Sequence, residues 1–245
     1  MKLLVCDVEG TIFKPYMIKG SKHTSYIWTA IASFLEKEGA KGAEREEIET
    51  QRKWRDGRYG DKPSGERYIN WVKDSIRIHK KYGLTEEGFY EVINSATYTE
   101  GTEDFFKMLD RNRYIPVLIS GGIQNLNFKA CHDLNIAREN SFAACEYFFT
   151  SEGKIDESLT FINSSNFCGK EELVKVLLRR YHLAASDWVF IGDGVNDVSI
   201  AKAAPLSIGI RSGGRALERI VDYAFDNFSQ LIECRELIER EGLVK

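Results

Sequence analysis

Asp7-Val8-Glu9-Gly10-Thr11 sets two carboxylates directly after a short apolar run, Leu3-Leu4-Val5-Cys6, at the front of the chain. A strand that ends in an acid delivers it to the mouth of a sheet. In an extended chain, residues two apart share a face, so Asp7 and Glu9 are expected to point the same way. Two carboxylates on one face repel unless a cation or a proton comes between them. The segment therefore asks for a metal, an acid/base pair, or both.

Three more polar tips follow apolar runs or open helix-length segments: Ser120-Gly121-Gly122, Gly169-Lys170, and Gly192-Asp193-Gly194-Val195-Asn196-Asp197. Asp7, Glu9, Asp193 and Asp197 in one crevice would make a hard oxygen cage of the kind Mg²⁺ takes. Ser120 and the glycine amides after it fall at an expected strand-to-helix turn, where free N–H groups favour an anion. Lys170 opens a helix, a poor place for a cation by the dipole, so an acid or a phosphate should hold it. Metal, carboxylates, amides and one lysine together fit phosphoryl transfer. Taken singly, Asp7 could end a strand, Ser-Gly-Gly and Gly-Lys could be plain turns, and Asn196 or Asp197 could be only a helix N-cap. The four in this order exceed what turns require.

The elements that must position these tips divide by texture. Residues 14–97 are charged, aromatic and helical in spacing: Ile27 to Phe34 and on to Glu38, Ala43 to Trp54, Glu66 to Tyr82, and a helix capped by Thr85 and running through Ile93. Gly57, Gly60, Pro63 and Gly65 mark a loop within this block. From residue 98 strand-length apolar runs alternate with helix-length segments. Strands are expected at 115–119, 142–149, 188–191, 206–210 and 223–225, and helices at 169–181, 197–204 and 228–239. This alternation predicts an α/β, Rossmann-like parallel sheet flanked by helices, with ligands beyond the carboxyl ends of the strands. Strand 1 shares the buried character of the later strands, so the block at 14–97 reads as an insertion into one core made of 1–13 and 98–245.

With 245 residues and 43% hydrophobic content, the chain can bury a substantial core. A net charge of −3 gives no electrostatic case for nucleic acid or an anionic membrane as partner. No apolar stretch approaches the roughly 20 residues that span a bilayer. Cys6, Cys131, Cys145, Cys168 and Cys234 are scattered, which reads as unpaired thiols in a reducing, cytoplasmic compartment. His23, His79, His132 and His182 lack ligand spacing, so a zinc site is not expected.

The four tips resemble the motifs of the haloacid dehalogenase-like (HAD) superfamily phosphatases, in their phosphoserine phosphatase-like branch. The likeness runs over nearly the whole chain. The block at 14–97 occupies the place of that branch's helical cap, with Trp54 to Val72 loosely similar to its cap pattern and Glu100-Gly101-Thr102 to its re-entry into the core. The resemblance implies Asp7 as nucleophile, forming an aspartyl-phosphate, and Glu9 as general acid and then base. It implies Mg²⁺ held by Asp7, Asp193 and the Glu9 backbone carbonyl, with Asp197 supporting the metal or Lys170. Ser120, Thr11, Gly10, Lys170 and the Gly121 amide would bind phosphoryl oxygens, and Asn196 would help position phosphate or substrate. The implied partner is a small phosphorylated metabolite, and the implied assembly a monomer or homodimer.

Two departures matter. The family usually carries Asp where this chain has Glu9, and the extra methylene moves the acid by about 1.5 Å. A misplacement of about 1 Å can cost on the order of 100-fold in rate. A branch resembling enolase-phosphatases also carries Glu here, and the other three motifs are intact, which favours a competent enzyme over a slow or regulatory one. A phosphotransferase would share every motif. Haloacid dehalogenation is disfavoured, because the acids beside Asp193 imply a metal. Secondly, Phe13-Lys14-Pro15-Tyr16 lacks the acid that would bind a substrate amine, and no cap arginine is clearly placed to pair with a substrate carboxylate, Arg67 and Arg77 being candidates by proximity alone. Phosphoserine is thus not the favoured substrate. Tyr16, Tyr26, Trp28, Trp54, Tyr59 and Trp71 are expected to fill the cap core and surface for the most part, with some free to stack on a flat substrate or form a partner surface.

Overall fold

The computed structural model describes residues 1–17, 24–59, 65–162, 169–210 and 217–245. His23, Gly60, Pro63 and Cys168 lie outside the described residues. In chain order the elements begin with β1 (Lys2–Cys6), β2 (Tyr16–Met17) and β3 (Thr24–Ser25). Four helices follow: α1 (Ile27–Lys37), α2 (Ala43–Arg55), α3 (Gly65–Lys81) and α4 (Glu86–Asn94). Next come α5 (Thr102–Met108), β4 (Tyr114–Ile123), α6 (Gln124–Asp133), β5 (Ser141–Glu146), β6 (Phe161–Ile162) and α7 (Lys170–Arg180). The chain closes with β7 (Trp188–Gly192), α8 (Val198–Ala203), β8 (Ser207–Ile210), β9 (Tyr223–Phe225), α9 (Phe228–Glu233) and α10 (Arg235–Glu241).

Seven strands form one sheet in the order β6-β5-β4-β1-β7-β8-β9, parallel except for the β5–β6 pair. β1 is central, and its four residues Leu3 to Cys6 are wholly buried. They divide their side chains between two apolar layers: Leu4 and Cys6 on one face, Leu3 and Val5 on the other. That is why the segment reads as a continuous apolar run rather than an alternating one. Cys6 pairs with Leu118 on β4 and with Ile191 on β7. Asp7 therefore emerges level with the end of β7 and one residue short of Ser120 on β4, and its amide donates to the Ile191 carbonyl at 2.9 Å. Chain order reverses at β1, the switch point where such sheets bind ligands.

Local detail differs from the sequence reading at several points: α5 and α6 are not among the expected helices, and the strand expected at 142–149 is Ser141–Glu146. Ser120-Gly121-Gly122 is not a turn: β4 runs on to Ile123, with a register shift against β5 between Ser120 and Ile123. At that irregularity Gln124, the first residue of α6, accepts the Ala143 amide on Oε1 at 2.7 Å and donates to Ser141 from Nε2 at 2.8 Å. The closing helix breaks at Cys234 into α9 and α10. Residues 7–13 are a tight turn rather than extended chain, with Gly10 at φ +86° and its amide on the Phe13 carbonyl. The shared-face argument for Asp7 and Glu9 therefore fails, and their carboxylates find different partners.

The helical block packs on the end of the sheet that carries the tips. Thr85 caps α4 as expected, its hydroxyl accepting the Gly88 amide at 3.2 Å. Where α3 meets the sheet, His79 is fully buried with Nε2 3.1 Å from the Trp28 carbonyl and Nδ1 2.8 Å from the Tyr147 hydroxyl. A carbonyl can only accept, so Nε2 carries the hydrogen and Nδ1 accepts from Tyr147. Glu47, also fully buried, lies 3.9 Å from Nε2 and accepts from Ser75 at 2.9 Å.

Burial disfavours charge on both groups: it pushes Glu47 up from 4.5 to about 7 and His79 down from 6.5 to about 4. Above pH 4.5 the unfolded chain releases the Glu47 proton first, so folding loses stability as pH rises toward 7. Below pH 6.5 the unfolded chain takes up the His79 proton first, so stability falls as pH drops toward 4. Each full penalty is roughly 3 kcal/mol. Melting at fixed Mg²⁺ should peak between about pH 5 and 6. Glu47→Gln should flatten the alkaline side of that curve, and an unchanged curve would refute the assignment.

Candidate active site

The four tips converge. Lys170 is 1% exposed and donates to Asp7 Oδ1 at 2.6 Å and to Asp197 Oδ1 at 2.7 Å. Burial alone would push its ammonium down, but Asp197 and Asp7 outweigh that and hold it charged above its ordinary value. This is the acid partnership its place at the start of α7 demanded. Asp197 is used up by its neighbours, since Oδ2 accepts the amides of Asp193 and Gly194 at 3.2 and 3.1 Å. It fastens Lys170 to the loop after β7.

Asp193 takes a hydrogen bond from the Thr11 hydroxyl on Oδ1 at 3.0 Å. Burial, then Asp7 and Asp197, push Asp193 well above the usual carboxylate range. Asp7 moves the same way, by burial against the pull of Lys170. Asp7, Asp193 and Asp197 can each offer one oxygen within 4.8 Å of the others. Three buried carboxyl groups this close, all hard oxygen donors, fit a small divalent cation. Asp7 and Asp193 are the pair free to ligate it.

Gly10 is fixed by this geometry. A Cβ there would lie 2.3 Å from Asp193 Oδ2, on a backbone already at φ +86°. Gly10→Ala should therefore displace the Asp193 carboxylate. Divalent-cation affinity, measured by titration calorimetry, should fall by about tenfold or more as a carboxylate ligand is lost. Wild-type cation affinity in this variant would show that Asp193 does not depend on the close approach.

Glu9 keeps a partly exposed flank, but its carboxyl group lies deep. Burial pushes it up to about 8, aided by Asp7 and opposed by a hydrogen bond from the Ile27 amide. That amide opens α1 and donates to Oε1 at 3.2 Å. The other oxygen faces the Ser120–Gly122 end of β4: a Cβ on Gly122 would stand 3.1 Å from Glu9 Oε2 and 3.2 Å from Ser120 Oγ. The longer side chain thus spans from the end of β4 to the helical block. Ser120 is buried, and its Oγ accepts the Gly122 amide at 2.9 Å, leaving its proton to donate. The Tyr68 hydroxyl on α3 donates to the Gly121 carbonyl. Asn196 is half-buried, its Oδ1 folded back toward Gly194.

Sequence reasoning missed the Ile27 amide and Tyr68. Neither carries a motif; each becomes visible only when the helical block is folded onto the loops. Among the aromatics, Trp28 and Trp71 are buried, and Trp54 packs on Tyr68 and Trp71. Tyr16 and Tyr59 donate to the Val92 carbonyl and to Asp74. Tyr26 is 55% exposed. Arg67 lies over the Trp54 ring at 4.3 Å and donates to the Trp54 carbonyl, while Arg77 pairs with Asp74 at the surface.

A phosphoserine phosphatase from Methanocaldococcus jannaschii is 26% identical over 133 residues, which span 54% of this chain and 60% of that protein. The structure of a phospho-aspartyl intermediate analogue of phosphoserine phosphatase superposes with a TM-score of 0.69. It covers 95% of this chain and 97% of the other at 20% identity. A phosphoserine phosphohydrolase-like protein from Francisella tularensis gives 0.65 over 95% and 99%, again at 20% identity. At such identities the likeness establishes the α/β fold. Residues 1–205 match the haloacid dehalogenase-like hydrolase model, a span that contains every residue of the converging carboxylate, serine and lysine tips, and the chain belongs to that family of hydrolases.

Proposed function

We propose that the protein is a Mg²⁺-dependent phosphatase of small phosphomonoesters, working through an aspartyl-phosphate on Asp7. The observation that carries this reading is the buried Asp7–Lys170–Asp197 bridge beside Asp193, with Ser120 and Glu9 at its edge. Asp7, Asp193 and the Glu9 backbone carbonyl would hold Mg²⁺. When bound, the ion neutralises the carboxylates and draws charge from the phosphoryl oxygens.

Lys170 holds Asp7 Oδ1, which leaves Oδ2 to attack phosphorus as the ester P–O bond breaks. Glu9, raised to about 8, carries a proton near neutrality and gives it to the departing alcohol oxygen. The same carboxylate then takes a proton from the water that attacks phosphorus, releasing inorganic phosphate and restoring Asp7. Ser120, Thr11, Lys170, the Gly121 amide and Asn196 bind the transferring oxygens. Residues 14–97 act as a cap on the core of 1–13 and 98–245. They meet it through the Ile27 amide and Tyr68 and exclude bulk water during the reaction.

Hydrolysis of p-nitrophenyl phosphate with Mg²⁺, abolished by chelator, is the expected result, and no turnover on any ester would overturn the reading. Glu9→Gln should slow it by about 100-fold or more, because both steps lose their proton carrier. A Glu9→Gln rate equal to wild type would remove Glu9 from the proton path.

A further inference from the structure

Tyr26 sits at the N-cap of α1, where Ser, Thr, Asp or Asn would stabilise the helix, and its side chain makes no capping bond. The position forgoes roughly 1 kcal/mol of helix stability. The residue is 55% exposed and stands outside the apolar interior of the helical block, which Trp28 and Trp71 close. The next residue, Ile27, places its amide on Glu9 Oε1 at 3.2 Å, so the backbone of Tyr26 is one residue from the candidate proton donor. The acids of the site are within electrostatic reach of the Tyr26 hydroxyl. The hydroxyl is held above its ordinary range first by the protein packed around it and then by Asp193, Glu9, Asp7 and Asp197.

A phosphoryl group seated on Ser120 and Lys170 puts its ester oxygen beside Glu9. Glu9 is tied to the start of α1 through the Ile27 amide, so the skeleton borne by that oxygen comes close to the start of α1. The side chain that stands there partly exposed is Tyr26. The two arginines singled out by proximity for a substrate carboxylate are engaged elsewhere, Arg67 on Trp54 and Arg77 on Asp74.

We propose that Tyr26 is the specificity-determining wall for the leaving group, selecting phosphomonoesters whose alcohol is planar or apolar enough to pack on its ring. This rests on the phosphatase reading of the site and adds to it the substrate class. Ring packing favours a flat partner through apolar burial and stacking and gives nothing to a methyl-sized one.

The test is binding of non-hydrolysable phosphonates, measured by calorimetry on the full chain in Mg²⁺ buffer. Phenylphosphonate and methylphosphonate share a phosphoryl-like head and differ in the group that would meet Tyr26. Wild type should bind the phenyl compound about tenfold more tightly. Tyr26→Ala should erase that ratio while leaving methylphosphonate affinity within twofold, and Tyr26→Phe should retain it. A wild-type ratio near one, equal loss of both ligands in Tyr26→Ala, or loss in Tyr26→Phe as large as in Tyr26→Ala would each overturn the proposal. Because the readout is a ratio of affinities, it stands apart from turnover. An inactive wild type that keeps the ratio would count against the phosphatase reading and for the role of Tyr26.

Discussion

Asp7→Asn will abolish turnover of p-nitrophenyl phosphate, by on the order of 10⁴-fold or more, without lowering the melting temperature. The rate loss follows from removing the proposed nucleophile, which no neighbour replaces: Asp197 has both oxygens committed, and Asp193 faces Thr11. Stability holds for a separate reason. Burial pushes the Asp7 carboxyl above its ordinary range, so folding gains little from its charge at neutral pH. The amide keeps the shape, and Lys170 keeps Asp197 at 2.7 Å. Rapid-quench labelling with a phosphorylated substrate should leave acid-stable phosphate on wild type and none on the variant. Turnover that survives Asp7→Asn would remove Asp7 as nucleophile.

Lys170→Met should be the most destabilising change in the site. It leaves two buried carboxylates without their cation, and breaking a buried pair costs about 3–5 kcal/mol. For a chain of this size that is a fall in Tm of roughly 10 °C. The loss should shrink at pH 5, where protons replace the missing positive charge. Asp7→Asn in the same background should recover part of the stability, since one of the stranded charges is gone. A Lys170→Met protein as stable as wild type at pH 8 would mean that the bridge contributes nothing to the fold.

What could be read from the chain and what could not divide by range. The tips at Asp7, Ser120, Lys170 and Asp193 were legible because each is a local event, polar residues following an apolar strand or opening a helix. The parallel sheet followed from the same alternation. Helix α6 escaped because its early positions are buried polar residues, Gln124, Asn125 and Asn127, serving the loop and the β5 edge rather than an apolar stripe. Ser120-Gly121-Gly122 reads as a turn by composition, yet pairing against β5 holds it extended. The partner of Glu9 was out of reach altogether. Its bond to Ile27 joins positions 18 residues apart through a backbone amide, which leaves no mark on residue type.

The central place of β1 has a consequence for how the molecule is made. Leu3 to Cys6 are synthesised first, yet their partners lie at Ile115–Leu118 and Trp188–Ile191. At about 5–20 residues per second, the ribosome extends the chain for roughly 10–40 s before the second flank of β1 exists. Throughout that interval the apolar strand that leads into Asp7 has no native neighbour on one side. Helices α1 to α4 are made during the wait and close largely local contacts, so they can form early, whereas the acid cluster cannot assemble until the loop at Asp193–Asp197 has emerged. Catalytic competence is therefore expected to lag behind helix formation during refolding, and a chain truncated before residue 188 should be helical but without activity.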